Sequence, residues 1–387
     1  MKNKILHLSH TDINFDSRII KEMISLQKIF PDSEVQGIGI KLDENEKLKK
    51  SDTTNSLEIL SLSLHSKKLT LIPKSLRHFF TLIEFFIRVM FDKRRLKSPN
   101  IVHSHDVIPI PICLIMKLFF GSKIIYDAHE LESDRAGLGK IMGKAVLLVE
   151  KIAWKWIDGF ITVSPEIMNW YYEEFSEKPG KVILNSPLIQ EDHLSKNIQK
   201  DYLKKIFNIP DESIIYIYIG MLTEGRGIKN LLAVFEKLKN TKHHIVFLGH
   251  GHLSDHIKLK QNNNSNIHLH ESVKHEQVVP IASSADIGLC MLENVSLSDY
   301  LCLPNKLFEY SFANLHIISS SFPSIRNFIE KYNCGICCED SEESIVCAIE
   351  NMQEIIDSDE KKFSKIIAEC SWERQEKNLY DVYNDFL

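Results

Sequence analysis

The sequence predicts an α/β protein made of two doubly wound parallel-sheet domains. Three observations carry this. Short apolar runs alternate with helical patterns from end to end, as chains of βαβ units do. The chain has 387 residues, too many for one ordinary core. A polar, lysine-rich segment after Asn185-Ser186-Pro187 separates two halves that each show the alternation.

In the first half, strands are expected at Lys4–Leu8, Glu34–Ile40, Ile101–His103, Lys123–Tyr126, Gly159–Val163 and Lys181–Leu184. Helical patterns cover Ser17–Ile29, Ile108–Phe119, Leu138–Ile157 and Pro165–Glu174. The second half repeats the alternation with strands near Ile214–Ile219, His244–Leu248, Ile267–His270, Ile287–Cys290 and His316–Ser319. A boundary is expected between Ser186 and Ser213, giving domains 1–190 and 191–370. The last segment, 371–387, carries Trp372, Leu379, Val382, Tyr383 and Phe386 at helical spacing. Such a stripe must pack, either on its own domain or back on the first.

A net charge of −5 argues against nucleic acid as the main partner. No N-terminal segment has a signal-peptide layout, and no run reaches the roughly 18 uncharged apolar residues of a spanning helix. The eight cysteines lie mostly in apolar segments, as free thiols do in a reducing compartment. Cys334-Gly335-Ile336-Cys337-Cys338 holds one CxxC, with no second pair at zinc spacing. A cytoplasmic protein is expected. Leu69–Met90 is apolar with interspersed Lys74, Arg77 and Arg88, and Lys93, Arg94, Arg95 and Lys97 follow at once. Residues 69–97 therefore suit a peripheral contact with an anionic inner membrane face, or a core helix with a solvated basic end.

Ligands of open parallel sheets bind beyond the carboxyl ends of the strands. Gly220-Met221-Leu222-Thr223-Glu224-Gly225-Arg226-Gly227 follows one such strand. Its glycines admit a close backbone, Arg226 brings a fixed charge, and the next helix presents free N–H groups, a combination suited to a diphosphate. Gly249-His250-Gly251-His252 follows the next strand and suits a base or phosphate. In Leu303-Pro304-Asn305-Lys306-Leu307-Phe308-Glu309-Tyr310 a proline sets a helix start, and Glu309 can accept hydrogen bonds from vicinal hydroxyls. In the first half, His103-Ser104-His105-Asp106 and Asp127-Ala128-His129-Glu130 end two strands expected to be neighbours. His105 or His129 would bind substrate hydroxyls or orient an acceptor there, and Asp127 with Glu130 form an acid–base pair only if both face the cleft. The HxHD spelling lacks a third ligand, so no metal is expected. Asp12, Asp16, Ser17 and Arg18 lie in the first loop, with Asp16 or Ser17 suited to cap the following helix.

These residues together resemble family 4 glycosyltransferases of the GT-B fold, of the type that builds bacterial surface polysaccharides. The resemblance covers nearly the whole chain: Phe160–Ser164, Asn185-Ser186-Pro187, the Gly220–Gly227 and Gly249/Gly251 loops, Pro304–Tyr310 and Ser371-Trp372-Glu373. It implies two Rossmann-like domains facing each other across a cleft, with the terminal helix crossing back to the first. It also implies anomeric retention with no cofactor and no metal. By that resemblance Glu309 holds the ribose, Arg226 contacts the diphosphate, and His105 stands near the reacting sugar. Gly220, Gly225, Gly227, Gly249, Gly251, Asp299, Pro304 and Asn305 line the donor. Asp12, Asp16, Arg18, His129 and Glu130 fall to the acceptor side.

Three departures are present. The family's second Glu, eight residues before Glu309, is Leu301 here, with Ser298 or Asp299 as candidate replacements. Met221 stands where a basic residue is common, leaving Lys306 to supply the charge. The N-terminal glycine pair is replaced within Asp12–Arg18. The expected reaction is sugar transfer from a nucleotide sugar, UDP being the family's commonest, to a lipid-linked or growing surface glycan. The alternatives are a nucleotide-sugar 2-epimerase, or a catalytically silent subunit that binds a partner glycosyltransferase.

Overall fold

A computed structural model describes residues 3–41, 57–69, 73–91, 98–188, 199–239, 241–356 and 361–387. The chain divides into two compact units, Met1–Ile183 with Glu376–Leu387, and Leu184–Gln375.

Among its described residues the first unit holds seven strands, β1 Lys4–Leu8, β2 Glu34–Ile40, β3 Glu58–Leu62, β4 Ile101–His105, β5 Lys123–Ala128, β6 Gly159–Thr162 and β7 Gly180–Val182. They pair in the order β3-β2-β1-β4-β5-β6-β7, with every pair parallel. Its helices are α1 Ser17–Ile29, α2 Lys74–Phe91, α3 Ile110–Phe120, α4 Lys140–Trp154 and α5 Pro165–Glu174. The order reverses between β1 and β4, which makes their carboxyl ends the natural ligand position. Right-handed crossovers then place α2, α3, α4 and α5 on one face of the sheet and α1 on the other. Trp154 of α4 stacks on Tyr171 of α5, with centroids 5.8 Å apart.

The second unit begins with α6 Tyr202–Phe207 and continues with β8 Ile214–Ile219, α7 Ile228–Lys237, β9 His243–Leu248, α8 Ser254–Asn263 and β10 Ile267–His270. Next come α9 His275–Ala282, β11 Ile287–Cys290, α10 Leu297–Leu301, α11 Asn305–Phe312 and β12 His316–Ser320. Then follow α12 Pro323–Tyr332, β13 Gly335–Cys338, α13 Glu342–Ile356 and α14 Lys361–Cys370, and α15 Trp372–Asn384 closes the chain. The six strands run β10-β9-β8-β11-β12-β13, again all parallel, reversing between β8 and β11. Both sheets are Rossmann-like. Continuous apolar strands such as Ile214-Ile-Tyr-Ile-Tyr-Ile219 are buried on both faces by helices, as parallel sheets require. From Glu376 onward α15 belongs to the first unit, where Glu376 pairs with Lys28 at 2.8 Å.

Two edge strands differ from the expectation. Glu58–Leu62 reads too polar for a strand, yet pairs with β2 from Gln36↔Glu58 to Ile40↔Leu62. The CxxC segment is strand β13, and its register Ser319↔Cys337 and Ser320↔Cys338 points successive thiols to opposite faces. All eight cysteines are free, five of them buried. The expected basic cluster Lys93, Arg94, Arg95 and Lys97 lies outside the described residues.

Candidate functional site

In the second unit the two glycine loops lie against each other. A Cβ on Gly249 would stand 1.9 Å from the Gly220 carbonyl oxygen, and one on Gly251 would stand 2.2 Å from that of Leu222. Only glycine permits this approach. Gly220, Gly225 and Gly227 have φ of 129°, 79° and 66°, which L side chains resist. The Gly227 N–H, at the start of α7, donates to Glu293 Oε1 at 3.2 Å, so one helix-terminal donor is already engaged by a carboxylate.

Helix α11 supplies the charged groups. Pro304 stands before it in extended backbone with no side-chain cap, and Asn305 is exposed in the first turn. Lys306 and Glu309 share one helix face, three residues apart. The Lys306 ammonium sits 3.6 Å from the centroid of the Tyr218 ring, shielded from solvent and with no hydrogen-bond partner among the described residues. Gly220 keeps the space beside it open, since a Cβ there would come within 3.1 Å of Lys306 Cε. Glu309 is buried, with Oε1 3.9 Å from His275 Nδ1. Arg226 is more than a third exposed and faces Asp299 Oδ1 at 3.4 Å. Asp299 also accepts from the Ser296 hydroxyl at 2.6 Å, so α10's cap holds the carboxylate that meets Arg226. Tyr310 is a structural pin. Its hydroxyl donates to the Leu289 carbonyl at 2.9 Å and accepts the Ile219 N–H at 3.0 Å, tying β8 to β11.

In the first unit the carboxyl ends of β1, β4 and β5 carry a buried polar network. Register places His7 opposite His103 and His105 opposite Asp127, all on one sheet face. Arg18 of α1 grips Asp127 with two bonds, Nε to Oδ2 at 3.0 Å and Nη2 to Oδ1 at 2.8 Å, and donates to the Ile183 carbonyl at 2.7 Å. Glu22, one turn on, lies 3.1 Å from Arg18 Nε. His105 lies beneath the rim with no exposed surface, between His7 at 2.9 Å and His129 at 3.2 Å. His129 and His10 reach the surface, with side chains 19% and 23% exposed. Asp12 accepts from Asn14 and Ser61, and Asp16 caps α1 through the N–H groups of Arg18 and Ile19. Glu130 is exposed. Asp127 is fully buried and held by Arg18, which takes it out of reach as half of an acid–base pair with Glu130.

Charge in this network is sorted by burial and partners. Burial raises a carboxyl, yet Arg18 and His129 hold Asp127 well below its ordinary range. Burial, then the charge of Asp127, pushes Glu22 up instead. Burial opposes the His129 cation, but Asp106 and Asp127 raise it to about 10. Burial lowers His105 to about 4 and, with His105 as neighbour, His103 to about 3. A charged His129 donates Nε2–H to Asp127 at 2.9 Å. His105 Nδ1 lies 3.4 Å from the same Asp127 oxygen, and its Nε2 shares a proton with His7 Nδ1 at 2.9 Å.

The network predicts a pH-dependent stability. Unfolded histidines titrate near 6.5, whereas folded His105 and His103 stay neutral down to about 4 and 3, which costs stability as pH drops below about 6.5. Glu22 and Glu150, pushed up in the folded state, oppose this on the acid side. His129 dominates the alkaline side: its contribution is complete below about 6.5 and is lost as pH rises toward 10. The first unit's melting temperature is expected to fall as pH rises from about 6.5 toward 10, and His129→Gln is expected to flatten that limb. Melting curves across pH 4–10 for both proteins check this.

Two histidine groups, His7/Glu22/His103/His105 and His105/Asp127/His129, bring donor atoms within 4.8 Å of one another. In the first, the His7, His103 and His105 rings stack within 25° of parallel, and His105 Nε2 already meets His7 Nδ1 at 2.9 Å. In the second, Asp127 also pairs with Arg18.

Sequence reasoning missed Tyr218, Glu293 and His275 in the second unit, and His7, His103 and Glu22 in the first. Tyr218 looks like any residue of an apolar strand. The in-phase spacing of His103 and His105, and of Arg18 and Glu22, was the available signal for the rest.

Comparison with known proteins agrees with this architecture. Residues 213–354 match the family described as Glycosyl transferases group 1. An uncharacterized glycosyltransferase of Methanocaldococcus jannaschii is 25% identical over 256 residues, covering 62% of this chain and 60% of that protein. The chain thus spans less than two thirds of that relative's length. Sucrose-phosphate synthase from Thermosynechococcus elongatus superposes with a TM-score of 0.75 at 14% identity, over 99% of this chain and 98% of that one. Anabaena HepE in complex with UDP-glucose gives 0.69 at 8% identity, over 99% of both chains. The fold is GT-B, and the family match supports a GT-B glycosyltransferase.

Proposed function

We propose that this chain is a retaining family 4 glycosyltransferase that moves a hexosyl group from a nucleotide sugar to a lipid-linked or growing surface glycan. One observation carries the reading: a shielded ammonium, Lys306, that has no hydrogen-bond partner among the described residues and lies beside Gly220, with Glu309 on the same helix face. A buried cation lacking an acceptor is costly unless an anion completes it. A donor diphosphate is such an anion, and Glu309 accepts from the ribose hydroxyls. Arg226 swings from Asp299 to the same phosphates, and the uncapped start of α11 adds its N–H groups. UDP is the favoured nucleotide, since HepE is described in complex with UDP-glucose.

No metal or cofactor is required. The bond from the anomeric carbon to the diphosphate oxygen breaks as the acceptor oxygen bonds that carbon from the same side. The acceptor proton passes to the departing diphosphate. Arg226, Lys306 and the helix start stabilise the charge that develops on the leaving group. His129 faces the acceptor as a fixed cation, and His105 behind it acts as a positioning residue.

Residues 69–97 are the proposed membrane contact, supported by Leu76, Phe79 and Phe91 exposed on α2. The 2-epimerase reading is disfavoured because Asp127, the carboxylate it would use, is locked by Arg18.

The test is NMR of the sugar released or transferred in deuterated water. Retained anomeric configuration with no deuterium at C2 is expected. An inverted product overturns the retaining assignment, and deuterium at C2 establishes the epimerase.

A further inference from the structure

The outer face of α4 is assigned no part in the proposed reaction, and its composition is unusual. At about 100° per residue, Lys140, Lys144, Lys151 and Lys155 fall within roughly 60° of helix surface. Ile141, Met142, Leu148, Ile152 and Trp156 occupy about the next 120°. All are exposed, Ile141 to 88% and Ile152 to 57%. The helix's inward face accounts for its single acid. Glu150 points into the unit, where Oε1 accepts from the Tyr126 and Tyr171 hydroxyls at 2.7 and 2.6 Å. Beyond the helix, Asp158 is held by Lys117 and Lys123. The outward face of α4 therefore presents cations and apolar side chains with no carboxylate.

The apolar surface continues past the helix. Helix α3 packs beside α4, and its last turn exposes Leu118 and Phe119 to 79% and 71%. Antiparallel crossing of the sheet brings the ends of α3 and α4 to the same edge, so these residues extend the stripe near Trp156. A soluble surface rarely leaves so many large apolar groups together without a partner.

We propose that the α4 face, extended by the end of α3, lies flat on an anionic lipid bilayer. The apolar stripe enters the acyl boundary, the lysine stripe along one flank meets the headgroups, and Trp156 sits at the interface. Charge selects this occupant over a second copy, because two such faces would oppose eight lysines with no carboxylate between them. Helix α3 also packs against α2, so this surface adjoins and deepens the membrane contact proposed for 69–97, while the α4 variants below test it apart from α2 and from the donor site.

The test is co-sedimentation of the full chain with vesicles of phosphatidylethanolamine and phosphatidylglycerol, against pure phosphatidylcholine. Binding is expected only to the anionic vesicles and should weaken with salt. Ile141→Asp/Ile152→Asp should reduce binding at least about tenfold by removing apolar insertion, and Lys144→Glu/Lys151→Glu at least about tenfold by reversing charge at the headgroups. Both pairs replace exposed side chains, so melting temperature and nucleotide binding should stay at the wild-type level. Three outcomes overturn the proposal: no binding of the wild type to anionic vesicles, binding unchanged in both variants, or a wild-type dimer that Ile141→Asp/Ile152→Asp dissociates.

Discussion

Lys306→Met is expected to weaken nucleoside diphosphate binding by about 10- to 100-fold, the loss of one charge-assisted hydrogen-bonding group worth roughly 1.5–3 kcal/mol. The same substitution should leave the melting temperature unchanged or raise it. The reason lies in the position of the ammonium, which is shielded and has no hydrogen-bond partner among the described residues, with the Tyr218 ring as its close contact. A charge kept for folding would have an anion beside it, because removing one from an existing pair is destabilising. Methionine keeps the length of the stem and its packing on Tyr218 while deleting the charge. Calorimetric titration paired with a melting curve separates the two effects. A lysine that stabilised the unit without binding ligand would show the opposite pattern, a lower melting temperature and unaltered affinity.

The largest stability effect is expected at Arg18→Met. The guanidinium makes two bonds to Asp127 and a third to the Ile183 carbonyl, and both side chains are buried. Its loss strands a buried carboxylate beside Glu22, at a cost of about 3–5 kcal/mol. For a unit of this size that corresponds to roughly 6–20 °C in melting temperature. Replacing both partners, as Arg18→Met/Asp127→Leu, should recover part of the loss, since the buried carboxylate goes with its guanidinium and His129 keeps Asp106 as its counter-ion. Donor affinity should be unchanged in Arg18→Met, because the Lys306 and Glu309 groups belong to the other unit. Urea or thermal unfolding of the three proteins, with the two units followed separately, checks this.

The elements that were legible in the sequence share one property: their residues repeat a local pattern strong enough to stand alone. Ser17–Ile29, Pro165–Glu174 and Ile214–Ile219 were expected with their observed bounds. The edge strands β3 and β13 were not expected, because an edge needs fewer apolar residues and takes its conformation from its neighbour. In the second unit, the glycines that touch across two loops were visible because close approach demands glycine. The cradle around Lys306 was only half visible, since Tyr218 comes from a strand that reads as core. The first-unit network was least legible. It depends on the register of three strands, on α1, and on Tyr383, whose hydroxyl reaches His103 Nδ1 at 2.5 Å from the far end of the chain. No local spacing encodes contacts of that sequence separation.

The measurement that bears most directly on the proposed function is calorimetric titration of the wild-type chain with UDP, GDP, ADP and CMP, repeated with Lys306→Met and Glu309→Ala. Saturable binding of one nucleotide, lost or strongly weakened in both variants, is the predicted result. Failure of all four nucleotides to bind, or binding that neither substitution alters, would contradict the donor site described in the second unit.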